Sequence, residues 1–392
     1  MADDPDDARR AGAARPGAAA AGAGKRDTGG GVTARVAVAP SEPPSSLAAR
    51  LARLIAAGGP ISVAQYMAAA NAHYYASREP FGSAGDFITA PEVSQTFGEM
   101  IGIWLADLWQ RAGRPAPVHY VEAGPGRGTL ARDALRVMAR FGLVPQVHLV
   151  ETSTRLRACQ AEWLPAAHWH ADFSTLPEDG ALLFVANEFL DALPVRQLVK
   201  TAAGWRERLV GHRDGRFRPV AGERPMDAAV PSALRAAQVG AILETSPAAA
   251  AMVADIAARI AAQGGAALVI DYGHDESRLG STLQAVRAHA GADPFADPGE
   301  ADLTALVDFS VLAPIAQTAG VRWLGTIEQR HFLAALGIAA RIAMLARRAP
   351  ARRDALEAAL ARLTAPDQMG QLFKVMALAA KGWPDGAGFA PA

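Results

Sequence analysis

From Leu47 onward, apolar residues recur at helical spacing through Leu51, Leu54 and Ile55, then stop at Gly58-Gly59-Pro60. This pattern predicts a helix. Ile61 to about Ala76 predicts a second, N-capped by Ser62, which runs into an irregular polar stretch from Ser77 to Gln95. A third helix is predicted at about Ser94–Arg111. The pattern then changes. Val118–Val121 reads as a buried strand, followed by a glycine-rich turn, a helix at about Leu130–Phe141 and a strand at Val147–Val150. Ala181–Val185 and Ala266–Ile270 read as further strands, the second preceded by an alanine-rich helix at Pro247–Ala262 with a Gly264-Gly265 stop.

Short strands alternating with long helices predict an α/β fold with a mainly parallel sheet covered on both faces. Between about Arg196 and Pro219, Val, Trp, Leu and Phe occur among turn residues such as Asp214-Gly215, predicting a small antiparallel excursion outside the main sheet. Leu279–Pro298 is polar and rich in turn residues, long enough for part of a substrate lid or wall, with a helix expected from near Asp302. The alanine-rich helices from about Ala334 to Leu363 read as packing structure. The expected organisation is a tail over 1–46, a helical covering region over 47–117, a core over 118–195 and 241–278, an antiparallel insertion over 196–240, a substrate-region insertion over 279–330, a helical region over 331–381 and a tail over 382–392.

Composition narrows the function. The chain has 392 residues with 39 Lys+Arg against 39 Asp+Glu, a balance that excludes a strongly basic nucleic-acid coat and an acidic disordered protein. No nucleic-acid partner is expected. Residues 1–46 contain no Phe, Trp or Tyr and are expected to be disordered. Asp3, Asp4, Asp6 and Asp7 argue against a secretory signal and fit a cleaved organellar presequence poorly. The most apolar stretches fall short of the roughly 20 residues that span a bilayer, so no membrane insertion is expected. Cys159 is the only cysteine, which excludes an intrachain disulfide or cysteine-built metal cluster and fits a reducing compartment. The expected location is cytoplasmic. His289, Asp293 and Asp308 have no spacing that points to a metal, and none is expected.

The chemistry centres on Val121-Glu122-Ala123-Gly124-Pro125-Gly126-Arg127-Gly128-Thr129-Leu130, between a strand and a helix, where small residues let a ligand approach backbone N–H groups. Glycines at 124, 126 and 128 give GxGxG. A dinucleotide GxGxxG would need glycine at 129, and no Walker lysine follows. Glu122 would repel a pyrophosphate but suits a cationic amino-acid group such as that of S-adenosylmethionine. Glu151 closes the next strand, where a carboxylate can accept hydrogen bonds from ribose hydroxyls. Asp172 is a candidate to bind the adenine amino group or frame its ring, with Phe173 as a candidate packing neighbour.

These residues, with Gly85-Asp86-Phe87-Ile88-Thr89-Ala90-Pro91-Glu92-Val93-Ser94-Gln95, Asn187-Glu188-Phe189-Leu190-Asp191-Ala192-Leu193-Pro194-Val195, Ile270-Asp271-Tyr272-Gly273, the His289–Phe309 region and Gly370–Met376, resemble the class I S-adenosylmethionine-dependent methyltransferases. The resemblance is to the family that includes the mitochondrial complex I assembly arginine methyltransferase and its bacterial relatives, and it covers about Leu51–Lys381. It implies a Rossmann-like core with added helical and small antiparallel substrate-binding elements. It also implies S-adenosyl-L-methionine as cofactor and a protein arginine as acceptor, in a respiratory complex I subunit or related protein. A small-molecule acceptor and a non-catalytic assembly factor are the alternatives, and a homodimer is among the assemblies the sequence allows.

Methyl transfer needs an acceptor in line behind the methyl carbon, and arginine brings a delocalised cation that carboxylates can orient. Glu188 and Asp191, after a strand at its carboxyl end, are the candidate acceptor residues, with Asn187 as a hydrogen-bonding partner. The two-glutamate loop of better-known arginine methyltransferases is absent: the second carboxylate is Asp191. The family pattern places Asp86, Thr89, Glu92 and Gln95 over the cofactor or acceptor channel. Asp271, Tyr272 and His274 follow another strand, and a neutral His274 is a candidate proton acceptor.

Overall fold

The computed structural model describes residues 46–77, 89–287 and 290–389. Apart from Ser46, the expected disordered tail lies outside them, as do Asp86 and His289. The central sheet comprises β1 (Val118–Ala123), β2 (Gln146–Val150), β3 (His168–His170), β4 (Ala181–Asn187), β5 (Gly265–His274), β6 (Val307–Asp308), β7 (Arg322–Glu328) and β8 (Phe373–Ala379). Its order is β7-β8-β5-β4-β1-β2-β3, with β6 beside the end of β5. The run from β5 to β3 is parallel, whereas β8 lies antiparallel between β5 and β7. Every residue of β1 and β4 is buried, as expected of strands covered on both faces.

Helices supply that cover. The chain first forms α1 (Leu47–Gly58), α2 (Val63–Ser77), α3 (Ala90–Val93), α4 (Gln95–Arg111), α5 (Thr129–Arg140) and α6 (Thr154–Trp163). Residues of α4 and α5 share one core with outward residues of β1, β4 and β5. A Cβ on Gly102 of α4 would lie 2.5 Å from the Ala134 carbonyl oxygen, so this glycine allows the close helix crossing. The opposite face is covered by α7 (Pro247–Gln263) and α8 (Phe309–Thr318). After β7 come α9 (Gln329–Ala335), α10 (Ile338–Arg348) and α11 (Arg353–Thr364), which pack on the α4 side.

Two smaller sheets flank this core. Arg196–Thr201, Gly204–Arg213, Arg216–Pro225 and Ile242–Thr245 form antiparallel pairs, and Asp214 and Gly215 turn one hairpin with φ of 54° and 72°. Ile61–Ser62, which the sequence pattern assigns to a helix, pairs with this sheet as a short strand. Gln284–Arg287, Ala290–Ala292 and Asp302–Thr304 form the third sheet. The helix expected near Asp302 starts instead at Phe309. Asn71 of α2 explains the difference: its amide donates to the Leu303 carbonyl (2.8 Å), and its oxygen accepts from the Leu303 N–H (3.0 Å). Both main-chain groups are thereby held in an extended strand by a residue 232 positions away.

The sheet order also fixes where a ligand meets the chain. From β1 the chain crosses through α5 to β2 on one side and later returns to β4 on the other, so the order reverses at β1. In open parallel sheets the crevice lies beyond the carboxyl ends of strands at such a reversal. The loops after β1 and β4 carry the glycine run and Asn187-Glu188.

Candidate active site

Gly124, Gly126 and Gly128 have φ of 61°, 53° and 80°, left-handed values that favour glycine. At Gly124 space forbids any larger residue as well, because an added Cβ would lie 2.5 Å from the Phe189 ring. The loop is held from behind by Gln160 of α6, which donates to the Gly126 carbonyl (2.7 Å) and accepts from Trp169 Nε1 (2.8 Å). Sequence reading gave Gln160 no role, since its contact lies 34 positions away and no motif marks it.

Two adjoining cavities share Gly124, Gly126 and Glu188 in their walls. One is lined by Glu151, Ser153, Leu156 and Phe189 together with Asn71 and Tyr75 of α2. The other is lined by Thr89, Glu92, Glu122, Thr129 and Asn187. Asn71 and Tyr75 are absent from the sequence-derived site because helical spacing says nothing about which distant loop a helix covers. Tyr75 donates to Asp302 (3.0 Å), anchoring this cover to the third sheet.

Glu122 lies on the same strand face as Tyr120, two residues away, and accepts a 2.5 Å hydrogen bond from its hydroxyl. Burial pushes the Glu122 carboxyl up to about 7 despite that donor. Glu151 accepts from the Ser153 N–H (2.7 Å), and burial raises its pKa as well. The donor expected from the family resemblance fits these walls: Gly126, in a left-handed conformation, lines both cavities, and each cavity carries a further carboxylate, Glu122 in one and Glu151 in the other.

The loop after β4 is built around Glu188, a non-glycine residue at φ 52°. Such a conformation costs on the order of 1–3 kcal/mol and persists when its surroundings dictate it. Asp271 dictates it here. Its fully buried carboxyl accepts the N–H groups of Phe189 (3.1 Å), Leu190 (2.9 Å) and Asp191 (3.2 Å) on one oxygen and that of Tyr272 (3.0 Å) on the other. The carboxyl of Glu188 accepts from the Ala90 N–H (2.9 Å) and the Asn187 amide (3.2 Å). Burial first, with a contribution from Asp191, raises it to about 7. Asp191 is raised to about 6 by burial, against a hydrogen bond from the Tyr272 hydroxyl. Burial and the charges of Asp191 and Glu188 raise Asp271 in turn, with its N–H donors opposing the rise. Among the described residues, Asn187 Oδ1 and Asp191 Oδ1 are buried without a hydrogen-bond partner.

The remaining sequence candidates are dispersed. Thr89 caps α3, and Glu92 accepts from the Thr129 hydroxyl (2.6 Å), so both border the glycine loop. Gln95 lines a neighbouring groove and donates to Glu99 (3.3 Å). Asp172 is exposed, its carboxyl capping a short turn through the Ser174 N–H (2.8 Å), and it does not line either cavity. Phe173 packs edge-on against Phe189, ring centroids 6.5 Å apart, and so supports the wall from behind. His274 lines a separate cavity on the α7–α8 side, where its Nδ1 donates to the Glu276 carbonyl (2.7 Å).

Comparison with known proteins places this geometry. A family model described as S-adenosyl-L-methionine-dependent methyltransferase matches residues 100–327. The chain is 37% identical to the human mitochondrial protein arginine methyltransferase NDUFAF7 over 361 residues, covering 82% of this chain and 80% of that protein. It is also 37% identical to the Drosophila melanogaster homolog, covering 85% and 84%. A crystal structure from Burkholderia thailandensis bound to S-adenosyl-homocysteine superposes with a TM-score of 0.75 at 30% identity, covering 87% of this chain and 93% of that one. The mitochondrial relatives overturn the expected cytoplasmic location. A single cysteine indicates a reducing environment, which does not separate one reducing compartment from another. No helix among the described residues is long and apolar enough to cross a membrane. Sequence identity over more than four-fifths of the chain and the agreement in fold mean that the protein belongs to this family of methyltransferases and takes S-adenosyl-L-methionine as its methyl donor.

Proposed function

We propose that the protein methylates an arginine side chain of a protein substrate and that Glu188, Asp191 and Asn187 hold the acceptor. The observation that carries this reading is the pair of buried acceptor oxygens on Asn187 and Asp191, without partners among the described residues, beside a carboxyl raised to about 7. Buried acceptors without donors are costly, and a guanidinium offers five N–H donors and no acceptor. Its charge would also draw the proton off Glu188 and hold Asp191 ionised, so that two carboxylates face it as it binds. The NDUFAF7 relatives, named as protein arginine methyltransferases, support the same acceptor. A complex I subunit or a related protein is the proposed substrate, following the family resemblance.

The donor supplies an electrophilic methyl group on a positively charged sulfur. The chain's own residues do the rest. Glu122 binds the ammonium end, Glu151 the ribose hydroxyls, and the left-handed glycines set the distance between them. Glu188 and Asp191 would fix the plane of the guanidinium and localise its charge, leaving one nitrogen free to take the methyl group and to pass its proton to one of these carboxylates. Asp271 acts through them as a positioning residue, by fixing the backbone of 189–191. Thr89 and Glu92 cover the ammonium end and limit water.

Intact-mass analysis of candidate respiratory-chain proteins incubated with enzyme and isotopically labelled S-adenosylmethionine, followed by peptide localisation, tests this reading. Label on arginine, lost in Glu188→Gln while S-adenosyl-homocysteine still binds, is the expected result. Label on a small metabolite, with none on protein, contradicts it.

A further inference from the structure

A groove beside the active site has a charge balance unlike the chain as a whole. Among the described residues it is lined by Arg127, Arg132, Arg348 and Arg352, with Glu92 as the single carboxylate, in a protein of formal net charge zero. Its four guanidinia come from four places: the glycine loop, α5, the end of α10 and the turn Pro350–Arg352. The carboxyl end of a helix attracts a cation, which accounts for Arg348 alone. The other three have no such reason to converge.

Little on the protein neutralises them. Arg127 lies 3.9 Å from Glu92, whose carboxyl already takes the Thr129 hydroxyl. Arg132 pairs with Asp133 at 3.2 Å and lies over the Trp163 ring at 4.9 Å. Arg348 and Arg352 are exposed and, among the described residues, have no carboxylate partner. The groove is also continuous with the active site, since Glu92, Arg127 and Thr129 line both it and the cavity that holds Glu122 and Glu188.

We propose that this groove docks an acidic segment of the protein substrate, next to the arginine presented to the active site. The proposal rests on the protein-arginine reading above and adds the charge of the flanking sequence. Guanidinia bind carboxylates with paired, directional hydrogen bonds, so a row of them reads acidic side chains better than lysines would. The surface is less suited to single-stranded nucleic acid, which needs free aromatic faces for its bases. The one aromatic residue among the described residues of the lining, Trp163, already has Arg132 over its ring.

The test uses the full chain and an arginine-free, fluorescently labelled peptide of alternating glycine and glutamate, with a glutamine version as control. The glutamate peptide is expected to bind about tenfold tighter than the control, to weaken with salt, and to lose about tenfold in Arg348→Glu/Arg352→Glu. S-adenosyl-homocysteine affinity should stay unchanged in that variant, which shows an intact fold. Equal binding of the two peptides overturns the proposal, as does an RNA oligonucleotide that binds tighter than the glutamate peptide and is lost in the same variant. A methylation arm separates this idea from the one beneath it. Arginine peptides methylated equally with acidic and neutral flanks sink the groove and leave the function standing. Binding of the glutamate peptide with no arginine methylated on any protein does the reverse.

Discussion

The same central sheet carries two buried polar clusters that have settled their hydrogen bonds in opposite ways. His119, His148 and His170, on β1, β2 and β3, form a chain in which His119 Nδ1 meets His148 Nε2 (3.1 Å), His148 Nδ1 meets His170 Nε2 (3.0 Å) and His170 Nδ1 meets Thr175 (2.7 Å). A neutral imidazole has one donor and one acceptor, so the rings pair with one another along the row, and the free end, His119 Nε2, lies 3.6 Å from the exposed Asp179 carboxylate. Burial, then the neighbouring imidazoles, lowers His148 to about 4, which keeps it neutral at pH 7. Around the β4 and β5 ends, by contrast, Glu188, Asp191 and Asp271 are acceptors when ionised, and burial has raised all three. Two oxygens in that region, on Asn187 and Asp191, have no partner among the described residues. A cluster of neutral rings that pair with one another is architecture. One with surplus acceptors and reluctant charges is prepared for a cation.

The largest break in this comparison should come from Glu188→Gln. We expect transfer to fall about 10²–10³-fold, the scale of losing one charged group aimed at a reacting centre, in a radiolabel assay with cofactor binding intact. Asp271→Ala should cost about 2–3 kcal/mol in urea unfolding, because the buried N–H groups of Leu190 and Asp191 and the partly buried ones of Phe189 and Tyr272 lose this acceptor. His148→Leu should cost about 1–2 kcal/mol by the same measurement while leaving transfer within twofold, as befits a structural row.

The two clusters should also differ in how stability follows pH. Glu188 holds its proton more tightly folded, at about 7 against an ordinary 4.5, so its contribution is full below 4.5 and is lost as pH rises toward 7. His148 holds its proton less tightly folded, at about 4 against 6.5, so its contribution is full above 6.5 and is lost as pH falls toward 4. Melting curves across this range should therefore shift in opposite directions for the two variants: Glu188→Gln removes the loss on the alkaline side, His148→Leu that on the acid side. The smallest effect is expected at Asp172→Ala. Its carboxyl is exposed and turned to Ser174, and S-adenosyl-homocysteine affinity by calorimetry should stay within twofold.

How much of this was legible in the sequence follows from the range of the interactions involved. The strand, glycine turn and helix around Gly124–Gly128 are local, and spacing located them within a residue or two. Glu122, Glu151, Asn187 and Glu188 follow from strand ends and the family pattern, and the cavities bring all four together. Gln160, Asn71 and Tyr75 were not legible, because each serves the site through a contact across the fold that no local pattern records. His274 and Asp172 show the converse failure. Both occupy plausible positions after a strand, but the side chain of one turns to the α7–α8 side and that of the other caps its own turn.

Calorimetric titration of S-adenosyl-homocysteine at pH 7 in two buffers of different ionisation enthalpy is the sharpest probe of the reluctant acids. With Glu122 at about 7, its half-protonated carboxyl should release about half a proton when the ligand's ammonium group arrives, and Glu122→Gln should abolish that release. Binding without proton release, unchanged by Glu122→Gln, would contradict the account.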